Sequence, residues 1–177
     1  MFLSMSLLLL MIRMPIEMAE RASALKDLLA RDYGLQNFAY DAVRLHITLF
    51  NLGKEASPER VGLIERIAPR VATSSFEVAF NRVTSWPDAL VLLSEGEPTP
   101  LTAFRRELAT SLKRVWPDRL RPSGFTPHIT LMRGVTCVEE QQVETCRWTV
   151  TDFALVHSIG GRYVELGRWT LTPSAAS

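Results

Sequence analysis

Between Val43 and Leu49 the chain alternates with a period of two, Val43, Leu45, Ile47 and Leu49 apolar against Arg44, His46 and Thr48 polar. That is the pattern of a strand with one buried face. Pro127–Met132 repeats it, with Ile129 and Leu131 on one side and His128 and Thr130 on the other. Leu7–Met11 is a continuous apolar run, as expected of a strand buried on both faces. Met18, Ala22, Leu25 and Leu29 recur at helical spacing after Pro15, with Gly34 as a stop. A second helix is predicted from Ser57-Pro58-Glu59 to about Ala68, and a third from Thr99-Pro100 to near Trp116-Pro117 along the stripe Leu101, Phe104, Leu108 and Leu112. Phe76–Val83 and Ala89–Leu93 read as a hairpin with Pro87 and Asp88 in its turn. Trp148–His157 and Tyr163–Leu171 read as strands around Gly160-Gly161. The stretch 121–125 reads as loop, and the stretch from Cys137 to Cys146 as loop or helix.

This order of elements predicts an α+β fold, antiparallel sheets with helices on the outside. Each His-Ile-Thr-Leu strand follows a helix, which points to an internal duplication into two similar lobes. The 177 residues fit one domain, 1–177, with a flexible tail at 173–177. A net charge of +1 supplies no global field for nucleic acid or an anionic membrane. The basic residues cluster locally instead, at Arg105, Arg106, Lys113, Arg114, Arg119, Arg121 and Arg133. The apolar run at Leu7–Met11 lacks a preceding positive residue and a small-residue cleavage site, so it reads as a strand rather than a secretion signal. It is too short to cross a bilayer. Two cysteines without metal spacing read as free thiols in a reducing compartment, and the expected localisation is cytoplasmic.

The candidate chemistry lies in the repeat. Two of the chain's three histidines fall in the two copies of His-Ile-Thr-Leu. In a strand, His and Thr two positions apart project from the same face. If the lobes are related by a pseudo-twofold axis, both faces line one cleft and two imidazoles flank a single bound group. In-line displacement at phosphorus needs a base on one side and an acid on the other, and imidazoles provide both near neutral pH. Hydroxyls can donate to the non-bridging oxygens. Neither strand carries a carboxylate, so no metal or other cofactor is expected. A coupled pair of this kind should give a bell-shaped pH–rate profile.

The stretches "HITLFNLG" and "HITLMR" resemble the paired motifs of the 2H phosphoesterase superfamily, closest to its 2′-5′ RNA ligase-like, or RNA 2′,3′-cyclic phosphodiesterase, family. The closing "FALVHSIGGRYVELGRWTL" fits the same likeness, which covers most of the chain. The resemblance implies a bilobal arrangement of two antiparallel sheets lining a central cleft. It also implies metal-free opening of a 2′,3′-cyclic phosphate to a 2′-phosphomonoester. By the family pattern His46 is the proton donor to the leaving oxygen and His128 the base that activates water. Thr48, Thr130 and Arg133 would bind the phosphate. The family commonly shows an aromatic or His followed by Phe-Leu-Gly after the first motif, where this chain has Phe50-Asn51-Leu52-Gly53.

The remaining candidates are weaker. Phe125 reads as a core aromatic or as a stacking partner for a nucleobase. Trp86 either lines the cleft mouth or closes a hairpin. Arg44 shares the face of His46 and either reaches phosphate or is solvated, and His157 reads as structural. The expected partner is an RNA 3′ end or a small cyclic nucleotide, with neither membrane nor obligate protein partner implied. Rival readings are a non-catalytic RNA-end or nucleotide-binding module and a hydrolase of 2′-5′-linked oligonucleotides. RNA ligation is the weakest of the family's options, because no ATP site is visible.

Overall fold

The first strand, β1 (Leu7–Arg13), has five consecutive buried residues, 8–12, all of them apolar as a strand covered on both faces requires. In this computed structural model, which describes residues 6–36, 38–54, 56–116, 120, 124–134 and 136–174, it lies inside a large antiparallel sheet. The other elements are α1 (Ile16–Asp32), β2 (Phe38–Ala39), β3 (His46–Gly53), α2 (Pro58–Ile67), β4 (Phe76–Trp86), β5 (Ala89–Ser94), α3 (Thr99–Leu112), β6 (His128–Arg133), β7 (Gln141–Val150), β8 (Asp152–Ile159) and β9 (Arg162–Thr170).

The strand order is β7-β4-β5-β6-β3-β1-β8-β9, with the short β2 added to β6. The two halves, β7-β4-β5-β6 and β3-β1-β8-β9, meet at one register position, Ile47 opposite Ile129. Each half contains the same unit: a doubly buried strand (β1 or β5), a helix (α1 or α3), then a His-x-Thr strand (β3 or β6) paired to the first. The α+β fold is therefore as the sequence predicts; the expected two sheets are joined into one, because β3 and β6 pair, and the junction between the halves is the line on which both motifs sit.

The helices lock the halves together. Phe104 of α3 packs against Phe76 of β4 at 5.6 Å and Phe153 of β8 at 5.2 Å between ring centroids, one from each half. Helix α1 lies against β6 and β7 of the opposite half. One core, including Leu10, Ile47, Phe80, Leu92, Phe104, Ile129 and Phe153, fills the helical side of the sheet. On the other side, Leu9, Met11, Ala154 and Val156 form a small cluster, and Ala89, Val91 and Leu93 another.

Local departures have local causes. Val43 stands 64 % exposed, because Ala42–Arg44 is a turn of 3-10 helix leading into β3. The hairpin strand β4 runs on through Trp86. Trp148–His157 is not one strand: β7 ends at Val150, and β8 starts at Asp152 on the other half of the sheet. The stretch leading to Cys146 is strand rather than loop or helix, since Gln141–Cys146 belongs to β7 and pairs with β4. Gly160 and Gly161 both adopt positive φ, 54° and 80°, which closes the β8–β9 hairpin tightly. Most of the expected loop at 121–125 lies outside the described residues, as do 175–177 of the expected tail. Ser174 is described, and its N–H donates to Ser75 Oγ at 3.0 Å.

Candidate active site

A β-bulge follows the Thr of each motif at the same place. In β3 the register against β1 shifts so that Leu49 and Phe50 are both buried and Asn51 returns to the exposed face. In β6 the shift against β5 buries Leu131 and Met132 and brings Arg133 outward. Each motif thus presents three side chains to the same side: His46, Thr48 and Asn51 from β3, and His128, Thr130 and Arg133 from β6. Strict alternation would have chosen Phe50 and Met132. The signal for the bulges is the pair of adjacent apolar residues, Leu49-Phe50 and Leu131-Met132, that ends each period-two run.

These residues line one cavity of about 280 Å³, together with Leu7, Leu9, Tyr40, Arg44, Ser158 and Tyr163. Both rings are held alike. The Nδ1–H of His46 donates to the carbonyl of Arg44 at 2.7 Å, and that of His128 to the carbonyl of Thr126 at 2.8 Å. A carbonyl cannot donate, so both tautomers are fixed and each Nε2 is left for the cavity. His46 Nε2 lies 3.1 Å from Thr48 Oγ1. Each ring also has an aromatic neighbour, Tyr163 for His46 with centroids 5.5 Å apart and Trp86 for His128 at 4.5 Å.

Burial lowers the pKa of His46 from 6.5 to about 4, assisted by the charges of Arg13, Arg44 and His128 and opposed by the bond to the Arg44 carbonyl. His128 is lowered too, first by burial and then by Arg133, against the bond to Thr126. Both rings are therefore neutral at pH 7 in the free protein. Arg133 donates to Asp88 at 3.2 Å and to the Tyr40 hydroxyl at 3.4 Å. Arg44 has its guanidinium carbon 4.6 Å from the Tyr40 ring centroid and 4.7 Å from that of Tyr163.

Of the residues expected from sequence, His46, Thr48, His128, Thr130 and Arg133 are thus brought together. Phe125 is not. It stacks against Arg105, whose guanidinium carbon lies 4.3 Å from its centroid, and packs on the main core outside the cavity. His157 bonds to Ser6 Oγ at 2.6 Å, away from the site. Tyr40, Ser158 and Tyr163 lie outside the two His-x-Thr motifs and were not legible as site residues, and Asn51 stood out only as a departure from the family pattern. No carboxylate lines the cavity, and among the described residues no group of three or more His, Cys, Asp or Glu is placed to hold a metal. A larger groove of about 760 Å³ between α1 and β7 is lined by Leu25, Leu28, Leu29 and Val143 with Arg21 and Glu144. It holds no imidazole, and burial raises the pKa of its thiol, Cys146, so it offers less chemistry than the smaller cavity.

Two His-x-Thr strands thus meet on a pseudo-twofold line, each ring tethered through Nδ1. The chain belongs to the 2′-5′ RNA ligase superfamily, whose family model matches residues 14–162. Among solved structures it is similar to E. coli LigT in its apo form, with 26% identity, a TM-score of 0.79, and 96% of this chain and 99% of that one covered. A structure described as a phosphoesterase aligns with a TM-score of 0.81 at 24% identity, covering 95% and 99% of the two chains. TT0787 of Thermus thermophilus aligns at 0.76 with 19% identity over the same shares. No curated protein matches the chain. Among the described residues, no helix is long and apolar enough to cross a membrane.

Proposed function

We propose that the protein is a phosphodiesterase that opens 2′,3′-cyclic phosphates, at RNA ends or on nucleotides, to 2′-phosphomonoesters by acid–base catalysis between His46 and His128. The observation that carries this reading is the pair of imidazoles tethered through Nδ1, each leaving Nε2 for one small polar cavity. E. coli LigT has been solved with 3′-AMP and with phosphate, which fits a nucleotide-sized ligand for the related cleft here.

In the proposed reaction a water molecule attacks phosphorus opposite the 3′-oxygen and gives its proton to His128 Nε2. The P–O3′ bond breaks as His46 Nε2 protonates the departing 3′-oxygen, leaving a free 3′-hydroxyl and a 2′-phosphate. Thr48, Thr130 and Arg133 hold the non-bridging oxygens, where negative charge must be supported. The depressed pKa of His46 suits it to the acid role, because an imidazolium of low pKa gives up its proton readily. The same ring must first be charged, and the phosphate anion entering the cavity offsets the cationic neighbours that keep it neutral. His128, held by a bond in a more exposed setting, is the better placed ring to meet water.

The test is turnover of nucleoside 2′,3′-cyclic phosphates and of oligonucleotides ending in a cyclic phosphate, in the presence of chelator. His46→Ala and His128→Ala should each lower kcat by roughly 10²–10⁴-fold while the thermal transition remains cooperative. Activity that survives either change in full would remove the acid–base assignment. Binding of cyclic phosphates with no turnover by the unaltered protein would favour a non-catalytic module instead.

A further inference from the structure

The fold makes the two ends of the cleft equivalent, yet their charges differ. The bulges place Arg133 at one end and Asn51 at the matching position of the other. The residues two before each histidine are Arg44 and Thr126. With β3 and β6 antiparallel about the Ile47–Ile129 pair, Arg44 and Arg133 fall on the same side of that centre, and Thr126 and Asn51 on the opposite side. Tyr40 joins the first pair physically, since its ring packs on Arg44 and its hydroxyl accepts from Arg133. Within the cavity, one end therefore carries two guanidiniums and the other the amide of Asn51 and the hydroxyl of Ser158.

Arg44 differs from the cations around it. Arg133 is paired with Asp88 and Arg13 with Glu165. Arg44 makes no ion pair among the described residues, and its Nε, like that of Arg13, is buried without a hydrogen-bond partner. The rings of Tyr40 and Tyr163 flank the guanidinium and hold it in place, but they do not neutralise it. A half-buried guanidinium that lines a cavity without an ion-pair partner is poised for an anion. Arg44 ends the 3-10 turn two residues before His46, at most about 7 Å of backbone away. That offset suits a neighbouring anionic group better than the phosphate on which the histidines act.

We infer that Arg44 determines specificity: beside Arg133, which holds the reacting phosphate, it forms a subsite for a second phosphate of the same substrate. The cleft then prefers cyclic phosphates that also carry a 5′-phosphomonoester or a preceding phosphodiester over bare nucleoside cyclic phosphates. The inference rests on the phosphodiesterase reading above and names the substrate within it.

The experiment compares kcat/KM for adenosine 2′,3′-cyclic phosphate, its 5′-phosphorylated form, and an adenosine dinucleotide ending in the cyclic phosphate. The unaltered protein should favour a phosphate-bearing substrate by about tenfold or more, a difference of about one charge-assisted contact. Arg44→Gln should bring the ratio to within about twofold, and Arg44→Lys, which keeps the charge but not the fork, should retain part of it. A preference for one of the two phosphorylated substrates alone supports the subsite and identifies which phosphate occupies it. An unchanged ratio in Arg44→Gln, or equal use of all three substrates by the unaltered protein, overturns it. If nothing is turned over, the phosphodiesterase reading fails separately, and calorimetry with adenosine 2′,5′-bisphosphate and adenosine 2′-monophosphate decides the subsite. Tighter binding of the bisphosphate that is lost in Arg44→Gln supports it, and equal binding overturns it. Should Arg44→Gln not fold, the ratio in Arg44→Lys is compared with the unaltered protein, and no fall in it counts against the subsite.

Discussion

His46 and His128 make the same backbone bond but answer to different surroundings. His46 is closed in by Tyr163, Arg13 and Arg44, and its neutral form is favoured down to about pH 4. An unfolded histidine takes up its proton near pH 6.5. Between those values the unfolded chain binds more protons than the folded one, so stability falls as pH drops through this window and is fully retained above it. The shift corresponds to about 3 kcal/mol across the window, an upper figure because local opening would relieve it. We therefore expect the melting temperature to fall between pH 7 and pH 4, and to fall less in His46→Gln, which cannot charge. Thermal melts of both proteins across that range check this, and parallel pH dependences would show that His46 is not a source of acid sensitivity. The histidines and threonines that line the cavity were legible in sequence because His and Thr at a spacing of two have few purely structural uses when the pattern occurs twice. Arg44 and Tyr163 were harder to read, since their contact joins the 3-10 turn before β3 to β9, far apart in the chain.

At the scale of the element, the two bulges decide what the cleft contains. Without them, period-two alternation would turn Phe50 and Met132 toward the cavity and bury Asn51 and Arg133. The departure from the family pattern at Phe50-Asn51 thus falls on the cleft face, at the position matching Arg133. This assignment predicts opposite outcomes for adjacent residues. Phe50 is 3 % exposed, and Phe50→Ala should cost about 3–5 kcal/mol of stability. Asn51 is exposed and accepts one bond from the Gly53 N–H at 3.0 Å, so Asn51→Ala should cost no more than about 1 kcal/mol while altering KM. Denaturant titration of the two variants with a parallel kinetic assay distinguishes them, and the reverse ranking in stability would mean the register is wrong. Strand existence was readable from periodicity, and bulges were not, because a bulge is fixed by the partner strand's register. The segment 148–157 was misread for a related reason: two strands separated by Thr151 look continuous until the sheet assigns them to different halves.

At the scale of the molecule, a site built on the seam between two halves is only as well defined as that seam. The sheet contributes little there, since β3 and β6 pair at the single position Ile47–Ile129. The side chains beneath must supply the rest. Phe104 is 1 % exposed and touches Phe76 in one half and Phe153 in the other, so its ring is a direct link between them. Removing it in Phe104→Ala leaves a void that neither half can fill alone, at a cost of about 3–5 kcal/mol. That is a large share of the roughly 5–15 kcal/mol by which a domain is stable. Each half carries its own reporter, Trp148 stacked on Phe80 and Trp169 beside Phe153. Single-tryptophan versions retaining one or the other should unfold together in denaturant, and Phe104→Ala should lower both midpoints by the same amount. Separate transitions for the two reporters would instead mean that the halves fold independently, and that the cleft is held together by something other than the shared core.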